Sequence, residues 1–499
     1  MKTQNGASIP VGALVRRQVV AGMVLVPMLA TAACGKTATA KGVSLPDFRQ
    51  ASDPDDTAAL ARAFATGKPV HAPAGRGSGS DGRYLVGNDA SASLPSGATL
   101  SGDGLDKTIF ARSDVRKSPF ILHCDSGSPD PARNITGLRF SDLSFVDDVA
   151  RLGFSEFSYL VMLNGVSDVH FDRVGFRGFR GDGLHLGSSV TARVERHNRG
   201  VTVSDCTFDG VNANNRNAIS VIDVDGLIVE TSRFINVTRR GDGSAGAGDP
   251  MNPATGLGQP GAIDLEPNGD AFAIVRNVTI RDNLFTGGGG FAVALLLSSN
   301  DVLRNAQRDI LIERNVIRDR AGGFEAFGFA GNAAMSSNRA YNIMIRNNQV
   351  ERCDKPFIIS GIRAITIVGN QFRDCRGHAE LGYLTANAQA VVADNLFERV
   401  GGLAPGYALW IREGQDISLV GNRFIDAGIP GGRGGVAIAV VAGTVRGLTM
   451  RANTFRNIEG RTGQAVQVFG EAKVDQASLR IEGNGALGVP LAQALNPPR

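Results

Sequence analysis

Short runs of alternating apolar and polar residues fill the chain from about residue 140 onward. Each run ends in a polar pair, an Asn, one variable residue, and then Phe or an aliphatic residue, as in residues 278–285. Alternation with a period of two is typical of β-strands with one buried face. The pattern therefore predicts many short strands, and in this example it places Val278 and Ile280 inside and Thr279 and Arg281 outside.

The same phrase recurs along the chain at spacings of 32, 33, 22, 25, 27, 31 and 31 residues. Its Asn stands at Asn283, Asn315, Asn348, Asn370, Asn395, Asn422, Asn453 and Asn484, and weaker copies end at Phe145, Phe176, Phe208 and Phe234. A period of this length with strand-like alternation predicts an all-β fold, a parallel β-helix with one repeat per turn. The Asn suits this position because its amide tolerates unusual backbone angles at a turn and can bond to the Asn one turn away.

The N-terminal part of the chain departs from the repeat. Acidic residues precede an Ala-rich apolar face in residues 53–66, which predicts a short helix that covers the open end of the coil. We therefore expect an export signal at 1–34, a linker at 35–48, a cap with the first turns at 49–110, the parallel β-helix at 111–486 and a C-terminal tail at 487–499.

Several motifs in the cap carry a resemblance to a known family. They are Asp55-Asp56-Thr57, Val-His-Ala-Pro-Ala-Gly at 70–75, Gly-Arg-Tyr-Leu-Val at 82–86 and Leu-Pro-Ser-Gly-Ala-Thr-Leu-Ser-Gly-Asp-Gly at 94–104. With the repeats, residues 48–486 resemble the pectate lyase superfamily, which includes pectate-lyase-like and tailspike-like proteins. The resemblance implies a right-handed single-stranded parallel β-helix with a short N-terminal capping helix. Members act on polysaccharides by elimination, hydrolysis or epimerisation, and some only bind, so the fold alone does not select an activity.

The first 34 residues have the layout of an export signal. Arg16 and Arg17 precede an apolar run of 15 residues at 19–33, which is too short for a comfortable membrane span. The paired arginines resemble a twin-arginine signal, with ordinary Sec export as the alternative. Thr-Ala-Ala before Cys34 resembles a lipoprotein box and predicts a lipid anchor there; the alternative is cleavage and soluble export. We expect an exported bacterial protein that is periplasmic, membrane-anchored or secreted.

Composition and charge limit the class of protein and the kinds of binding partner that are plausible. The 64 glycines and 6% aromatic residues suit a narrow coil, and 42% hydrophobic with 20% charged residues excludes wholesale disorder, collagen and a polytopic membrane protein. The net charge of +4 falls to +1 without the three basic residues Lys2, Arg16 and Arg17 of the N-terminal stretch. This balance gives no support for a nucleic-acid partner.

Aligning the strands that follow the repeated phrase predicts one outward row of polar side chains. It contains His185, Ser220 and Asp264, with Glu266 about 7 Å beyond Asp264 between Cα atoms. Two carboxylates on one face suit the acid and base of an inverting glycosidase, whose carboxyl groups stand about 6.5 to 9.5 Å apart. The alternative is an ordinary solvated face or pairing with neighbouring arginines.

His185 is the third predicted catalytic residue. Imidazole titrates near neutral pH and can carry a proton, and the residue should lie two turns, about 10 Å, from Asp264. The turn Arg180-Gly-Asp182-Gly before it resembles the corresponding turn of the superfamily. Arginines nearby could hold a uronate carboxylate, although surface solvation is their alternative. The predicted substrate-binding residues are Arg177, Arg180, Asp182, Arg216, Ser220, Asn268 and Trp410.

Other candidate positions have weaker patterns. Trp410, five turns or about 24 Å from Asp264, could serve a distant sugar subsite or pack against a loop. The segment 223–226 resembles a fragment of a calcium loop without its later ligands, so we expect no required cofactor, with Ca²⁺ as the alternative. Cys353 and Cys375 should occupy equivalent places on successive turns, as a disulfide or as stacked thiols.

These observations lead to three functional hypotheses. The first is an exported polysaccharide-active enzyme that hydrolyses glycosidic bonds through Asp264 and Glu266, assisted by His185. The second is a lyase that eliminates across a uronate-containing glycan, with His185 or an Arg as the base. The third is a non-catalytic surface protein that binds glycan.

Overall fold

The computed structural model describes residues 42–490 apart from 88–91, 114–118, 189–193, 240–260, 268–269, 298–303, 329–339, 383–385 and 433. In this part of the chain, equivalent strands of successive turns pair in parallel. The chain therefore winds as a parallel β-helix, and each turn, or rung, lies on the one before it. The export signal and Cys34 lie outside the described residues.

In the described ranges, one face of the coil is a sheet of 13 strands, which we call sheet 1. Its strands are Ala92–Ser93, Leu122–Asp125, Val161–Asn164, Leu184–Gly187, Ile219–Val221, Gly261–Leu265, Phe291–Leu296, Gly322–Phe327, Lys355–Ser360, Ala379–Leu381, Tyr407–Ile411, Gly435–Val440 and Thr462–Val468. A typical rung contributes one strand to this sheet, so that residues far apart in sequence become vertical neighbours.

The remaining described strands form the other faces, which we call sheet 2. They are Val43–Ser44, Val70–Ala72, Tyr84–Val86, Thr99–Gly102, Ile109–Arg112, Ile135–Val146, Val166–Arg177, Arg199–Ser204, Thr207–Asp209, Val224–Glu230, Arg233–Ile235, Val275–Arg281, Leu284–Thr286, Gln307–Glu313, Val316–Arg318, Ala340–Arg346, Gln349–Glu351, Arg363–Val368, Gln371–Arg373, Asn387–Ala388, Val391–Ala393, Leu396–Glu398, Gly414–Gln415, Ser418–Val420, Arg423–Ile425, Thr444–Arg446, Thr449–Arg451, Thr454–Arg456, Lys473–Val474, Arg480–Glu482 and Gly485–Leu487. Most of these strands are short because a turn follows every few residues.

Rows of equivalent side chains fill the interior. Phe176, Phe208, Phe234 and Phe285 are fully buried and stack on successive rungs, with ring centroids 4.6, 4.9 and 4.5 Å apart. Val278 is also buried, as its alternation predicted. The repeated Phe therefore packs the core, and its burial and offset stacking stabilise adjacent rungs.

The repeated Asn forms the predicted ladder. Asn283 Nδ2 donates to Asn315 Oδ1 at 3.0 Å, and Asn315 Nδ2 donates to Asn348 Oδ1 at 2.9 Å. The same bond joins each later pair down to Asn484. The prediction that this Asn itself takes the unusual backbone angle is wrong, because the positive φ falls on the preceding residue, such as Asp282 at 57°.

Helices are few in the described part of the chain. Helix α1 spans Thr57–Phe64 and α2 spans Val149–Leu152, with 3₁₀ turns at Leu45–Phe48 and Pro131–Arg133. Helix α1 buries Leu60 and Phe64 in the core, and it lies within residues 53–66, where the sequence predicted a short helix after acidic residues. Asp56 is its N-cap residue, but the Asp56 carboxylate does not cap the helix and instead accepts hydrogen bonds from elsewhere in the cap, including the Leu85 N–H.

Two other expectations from the sequence concern a possible disulfide and a possible membrane span. Cys353 and Cys375 are buried free thiols, so the disulfide alternative is not observed. Among the described residues, none of the helices has the length and apolar character needed to cross a bilayer.

Candidate functional site

Sheet 1 brings the predicted catalytic residues together. His185 pairs in register with Ser220, and Ser220 pairs with Asp264 on the next rung. The adjacent apolar positions, such as Leu184 and Ile263, are fully buried in the core. The predicted row therefore exists, and His185 lies two rungs from Asp264.

The row is much less exposed than the sequence suggested. Asp264 is 0% exposed and Ser220 only 1%, while His185 is 7% exposed. The alternative of an ordinary solvated face is therefore wrong for Asp264. A carboxyl group removed from water in this way must be neutral or well compensated, because an isolated buried charge is unfavourable.

His185 is held in one orientation by two neighbours. Its Nδ1 lies 3.0 Å from Asp182 Oδ2, and Asp182 is fully buried. Its ring stacks on Tyr159 with centroids 4.4 Å apart and planes 3° from parallel. A proton on Nδ1 that is donated to Asp182 leaves Nε2 as the nitrogen that can accept a proton.

Asp264 is the most strongly perturbed acid of the group. Burial raises the pKa of Asp264 well above its usual range, and the Glu266 and Asp182 charges raise it further. Arg216 and the bond from Asn217 Nδ2 to Asp264 Oδ2, at 3.2 Å, oppose this effect only partly. Among the residues that the structure describes, Asp264 Oδ1 has no hydrogen-bond partner. These features favour the protonated form, which can donate a proton.

Glu266 has a different environment. Its backbone N–H donates to Val221 O at 2.9 Å, and its side chain is 27% exposed. Arg216 Nη2 lies 3.1 Å from Glu266 Oε2, while Nη1 of the same guanidinium lies 3.4 Å from Glu156 Oε1. Burial would lower the pKa of Arg216, but the surrounding carboxylates, Asp182 first, keep it raised. Glu266 is therefore paired with a guanidinium, as the arginine alternative anticipated.

The cluster therefore combines carboxyl groups with different environments. A carboxyl group whose pKa is raised by burial adjoins one that is paired with an arginine, and an oriented imidazole lies two rungs away. Perturbed acids with opposed environments are the usual arrangement for general acid–base chemistry.

Two of the predicted arginines lie elsewhere. Arg180 Nε donates to Gly153 O at 2.8 Å, so its side chain holds the end of α2 rather than the carboxylate cluster. Arg177 is the last residue of a sheet 2 strand and is 61% exposed, with Asp209 3.7 Å away. The sequence placed both arginines near His185 along the chain, but the turn between the sheets directs them to other contacts. Asn268 lies outside the described residues.

Trp410 lies in the same vertical row, five rungs from Asp264, through Ala294, Glu325, Ile358 and Glu380. Its indole packs edge-on against His378, with ring centroids 4.5 Å apart. The predicted outward row and the distance of five rungs are therefore correct, and His378, which immediately precedes a sheet 1 strand, is a packing partner of the indole.

The segment 223–226 uses its carboxylates for other contacts. Asp223 Oδ2 accepts from the Ile274 N–H at 2.8 Å, and Asp225 Oδ2 accepts from Arg276 at 2.7 Å. In the part of the chain that the structure describes, no group of three or more His, Cys, Asp or Glu side chains could hold a metal ion.

Three residues of the cluster were not found from the sequence: Glu156, Tyr159 and Asn217. Asn217 lies two residues before Ile219 and aligns with Asp182 across the rung, so extending the strand alignment by two residues would have found it. Glu156 and Tyr159 lie in an irregular segment after α2, where no periodicity indicates the direction of a side chain.

The fold has clear relatives. Residues 278–484 match the family model described as right handed beta helix region. Tailspike protein 3 of bacteriophage CBA120 is 15% identical with a TM-score of 0.55, and the match covers 92% of this chain and 64% of the tailspike chain. This chain thus spans slightly less than two thirds of that tailspike.

Two further solved structures share the architecture. The N-terminal fragment of gene product 12 of bacteriophage Phi29 is 12% identical with a TM-score of 0.51, covering 91% of this chain and 72% of that one. A family 28 exopolygalacturonase of Yersinia enterocolitica is 12% identical with a TM-score of 0.50, covering 87% and 79%. No curated protein sequence matches the chain. The family model and these structural matches establish the right-handed coil. Because the identities are this low, the chemistry has to be argued from the site itself.

Proposed function

We propose that this chain, a right-handed parallel β-helix protein of the pectate-lyase-like superfamily, is an exported polysaccharide-active enzyme that hydrolyses glycosidic bonds. The observation that carries the proposal is the pair formed by Asp264 and Glu266. Burial and neighbouring charge raise the pKa of Asp264, while Glu266 lies 3.1 Å from the Arg216 guanidinium. A glycosidase requires one carboxyl group that carries a proton and one that has lost it.

The two carboxyl groups then have distinct roles. Asp264 protonates the glycosidic oxygen as the bond to the anomeric carbon breaks, and Glu266 accepts a proton from the attacking water. Asp264 becomes ionised in this step, and Arg216 stabilises the new charge. Because Asp264 is fully buried, a glycan reaches it only after side chains around the cluster rearrange. His185, fixed by Asp182, assists proton transfer on the same face.

Known relatives support a glycan substrate. One structural neighbour is named an exopolygalacturonase and another a phage tailspike, and both share the coil on which the cluster lies. The sugar and the linkage are to be found by a screen of acidic and neutral polysaccharides, in which new reducing ends report hydrolysis.

Substitution of the two carboxyl groups tests the assignment. Asp264→Asn and Glu266→Gln should each lower turnover by about 100-fold or more, since acid–base catalysis contributes roughly 10² to 10⁴ in rate. Glu230→Gln is the matched control, because Glu230 is 26% exposed and bonded to an arginine, as Glu266 is, but lies on sheet 2. Unchanged turnover in both site variants would show that the chemistry is elsewhere.

Elimination is the second candidate, and the Asp182–His185 pair favours it. With Nδ1 bonded to Asp182, the His185 Nε2 is available to take a proton next to a uronate carboxylate. Elimination gives an unsaturated sugar that absorbs in the ultraviolet, whereas hydrolysis gives only a reducing end. Absorbing products that disappear in His185→Gln would favour this candidate over hydrolysis.

The export signal and a lipid anchor at Cys34 complete the proposal. The Arg-Arg pair, the apolar run and the small residues before Cys34 support them. Labelling with an alkyne fatty acid should mark the wild type and leave Cys34→Ala unmarked. Equal labelling of both chains would exclude Cys34 as the acylated residue.

A further inference from the structure

A second polar cluster lies on sheet 1, four rungs from Asp264, which is about 19 Å at the spacing of parallel strands. It consists of Lys355, His378, Glu380 and Trp410. Glu380 pairs in register with Trp410, which places their side chains on the same outward row. No step proposed for the carboxylate site uses this cluster.

Glu380 is the centre of the cluster. Its side chain is 2% exposed, and its Oε1 contacts both the Lys355 ammonium and, at 3.2 Å, His378 Nε2. Burial alone would raise the pKa of Glu380, but His378 and Lys355 outweigh burial and hold the pKa below its usual range. The carboxylate is therefore charged, and it requires hydrogen-bond donors.

Within the described part of the chain, three buried polar atoms of the cluster make no hydrogen bond: His378 Nε2, Glu380 Oε2 and Trp410 Nε1. His378 Nε2 still has its ion-pair contact with Glu380 Oε1, which leaves Glu380 Oε2 as an open acceptor and Trp410 Nε1 as an open donor. Buried polar groups in proteins are nearly always paired, because an unpaired group has lost its hydrogen bonds to water without a replacement. An acceptor and a donor left open on neighbouring rungs indicate a ligand that supplies both a hydrogen-bond donor and an acceptor.

A sugar hydroxyl pair meets this requirement. One hydroxyl can donate to Glu380 Oε2 while its neighbour accepts from Trp410 Nε1. Lys355 is already paired with Glu380, so among the four residues of the cluster no unpaired cation is left to hold a uronate. The chemistry favours a neutral pyranose over an acidic one.

We propose that Lys355, His378, Glu380 and Trp410 form a distal subsite that binds a neutral sugar residue of the same glycan. The subsite rests on the proposed function for its polymeric substrate. A chain long enough to span about 19 Å would contact both clusters, so affinity should rise steeply once an oligosaccharide reaches that length.

The composition of the chain provides a direct probe, because Trp410 is the only tryptophan. Its fluorescence can be titrated with cellohexaose, maltohexaose, xylohexaose and hexagalacturonate, and with shorter members of whichever series binds. Titration of Asp264→Asn, with calorimetry in parallel, limits cleavage during the measurement. We expect a saturable fluorescence change with a neutral hexasaccharide and a much smaller affinity for its dimer.

Two variants separate the roles of the open atoms. Glu380→Gln keeps the shape and the fluorophore, and it should weaken binding about 10-fold through loss of a charged acceptor. Trp410→Phe, followed by calorimetry, should weaken binding several-fold through loss of the indole N–H. Glu351→Gln is the control on sheet 2, since Glu351 is 27% exposed and forms ion pairs with Arg352 and Arg373. It should bind like the parent.

The outcomes distinguish this subsite from the proposed hydrolase. Calorimetric binding without a change in Trp410 fluorescence, and with full affinity in Glu380→Gln, would overturn the subsite alone. Binding confined to hexagalacturonate would overturn the neutral assignment. A Trp410 response without turnover of any glycan would support the subsite and contradict hydrolysis, whereas absence of all binding would contradict both.

Discussion

Asp264 makes the stability of the protein depend on pH. Its pKa is raised in the folded state, chiefly by burial, above the value of about 3.9 for an unfolded chain. The folded state therefore binds the proton more tightly, and this contribution to stability is complete below about pH 4 and is lost as pH rises through the folded pKa. Within that window the loss is at most about 1.4 kcal/mol per pH unit.

Asp264→Asn should remove this dependence, because an amide has no proton to lose. We therefore expect the free energy of unfolding, measured with urea between pH 4 and pH 8, to rise in Asp264→Asn relative to wild type as the pH increases. The partner amide Asn217 and the charges of Glu266, Asp182 and Arg216 remain in both proteins. Parallel pH profiles would show that Asp264 titrates normally.

For single residues, the sequence predicted the place of a side chain on the sheet better than its burial and contacts. Alternation within the strands placed His185, Ser220 and Asp264 in one row, because a pleated strand permits only two directions. Burial of that row was not predictable, since it depends on segments without periodicity that pack over the sheet. Arg180 was misplaced for the same reason: its direction is set by the irregular turn that contacts α2.

Among the elements, the Asn ladder connects the rungs from Asn283 to Asn484. Asn348 is fully buried, and its Oδ1 accepts from both the backbone N–H and the Nδ2 of Asn315 at 2.9 Å. Asn348→Ala leaves both donors unpaired away from water, so it should lower the free energy of unfolding by about 3 kcal/mol or more. Urea unfolding monitored by circular dichroism measures this loss.

The last rung offers a matched control. Asn484 accepts the same two bonds from Asn453, at 2.9 and 3.0 Å, but it is only partly buried. Water can therefore replace the lost carbonyl oxygen in Asn484→Ala, and the loss should be about 1 kcal/mol. Equal losses at both positions would show that the ladder bonds do not depend on burial.

The repeated phrase predicted these elements because each rung has the same structural requirements. Phe, the ladder Asn and the alternating aliphatics all point inward, where one side chain stacks on its equivalent. Where the phrase weakens, Ser232 and Cys206 take over the ladder position: the Cys206 N–H donates to Ser232 Oγ at 3.0 Å. Sequence periodicity does not reveal that Ser or Cys stands in place of Asn, since the side chains of Asn, Ser and Cys share only an atom that can accept a hydrogen bond.

Across the whole molecule, each rung contacts mainly the rungs above and below it. Stability in such arrays is approximately a sum of unit terms and nearest-neighbour terms. Phe234 lies between Phe208 and Phe285, whereas in the last part of the stack Phe455 packs on Phe424 with centroids 5.3 Å apart. A lesion near the C-terminal end should therefore stay local.

Phe455→Ala should loosen the final rungs and leave the carboxylate site intact. Hydrogen exchange measured by mass spectrometry should quicken in residues 418–487, with little change in Ile219–Val221 or Gly261–Leu265. Phe234→Ala removes a ring that is packed on both sides, so it should cost about 3 to 5 kcal/mol and quicken exchange in those two strands. It should also reduce turnover, because sheet 1 positions Asp264 on the same coil. Uniform acceleration along the chain in Phe455→Ala would instead mean that the coil opens as one cooperative unit.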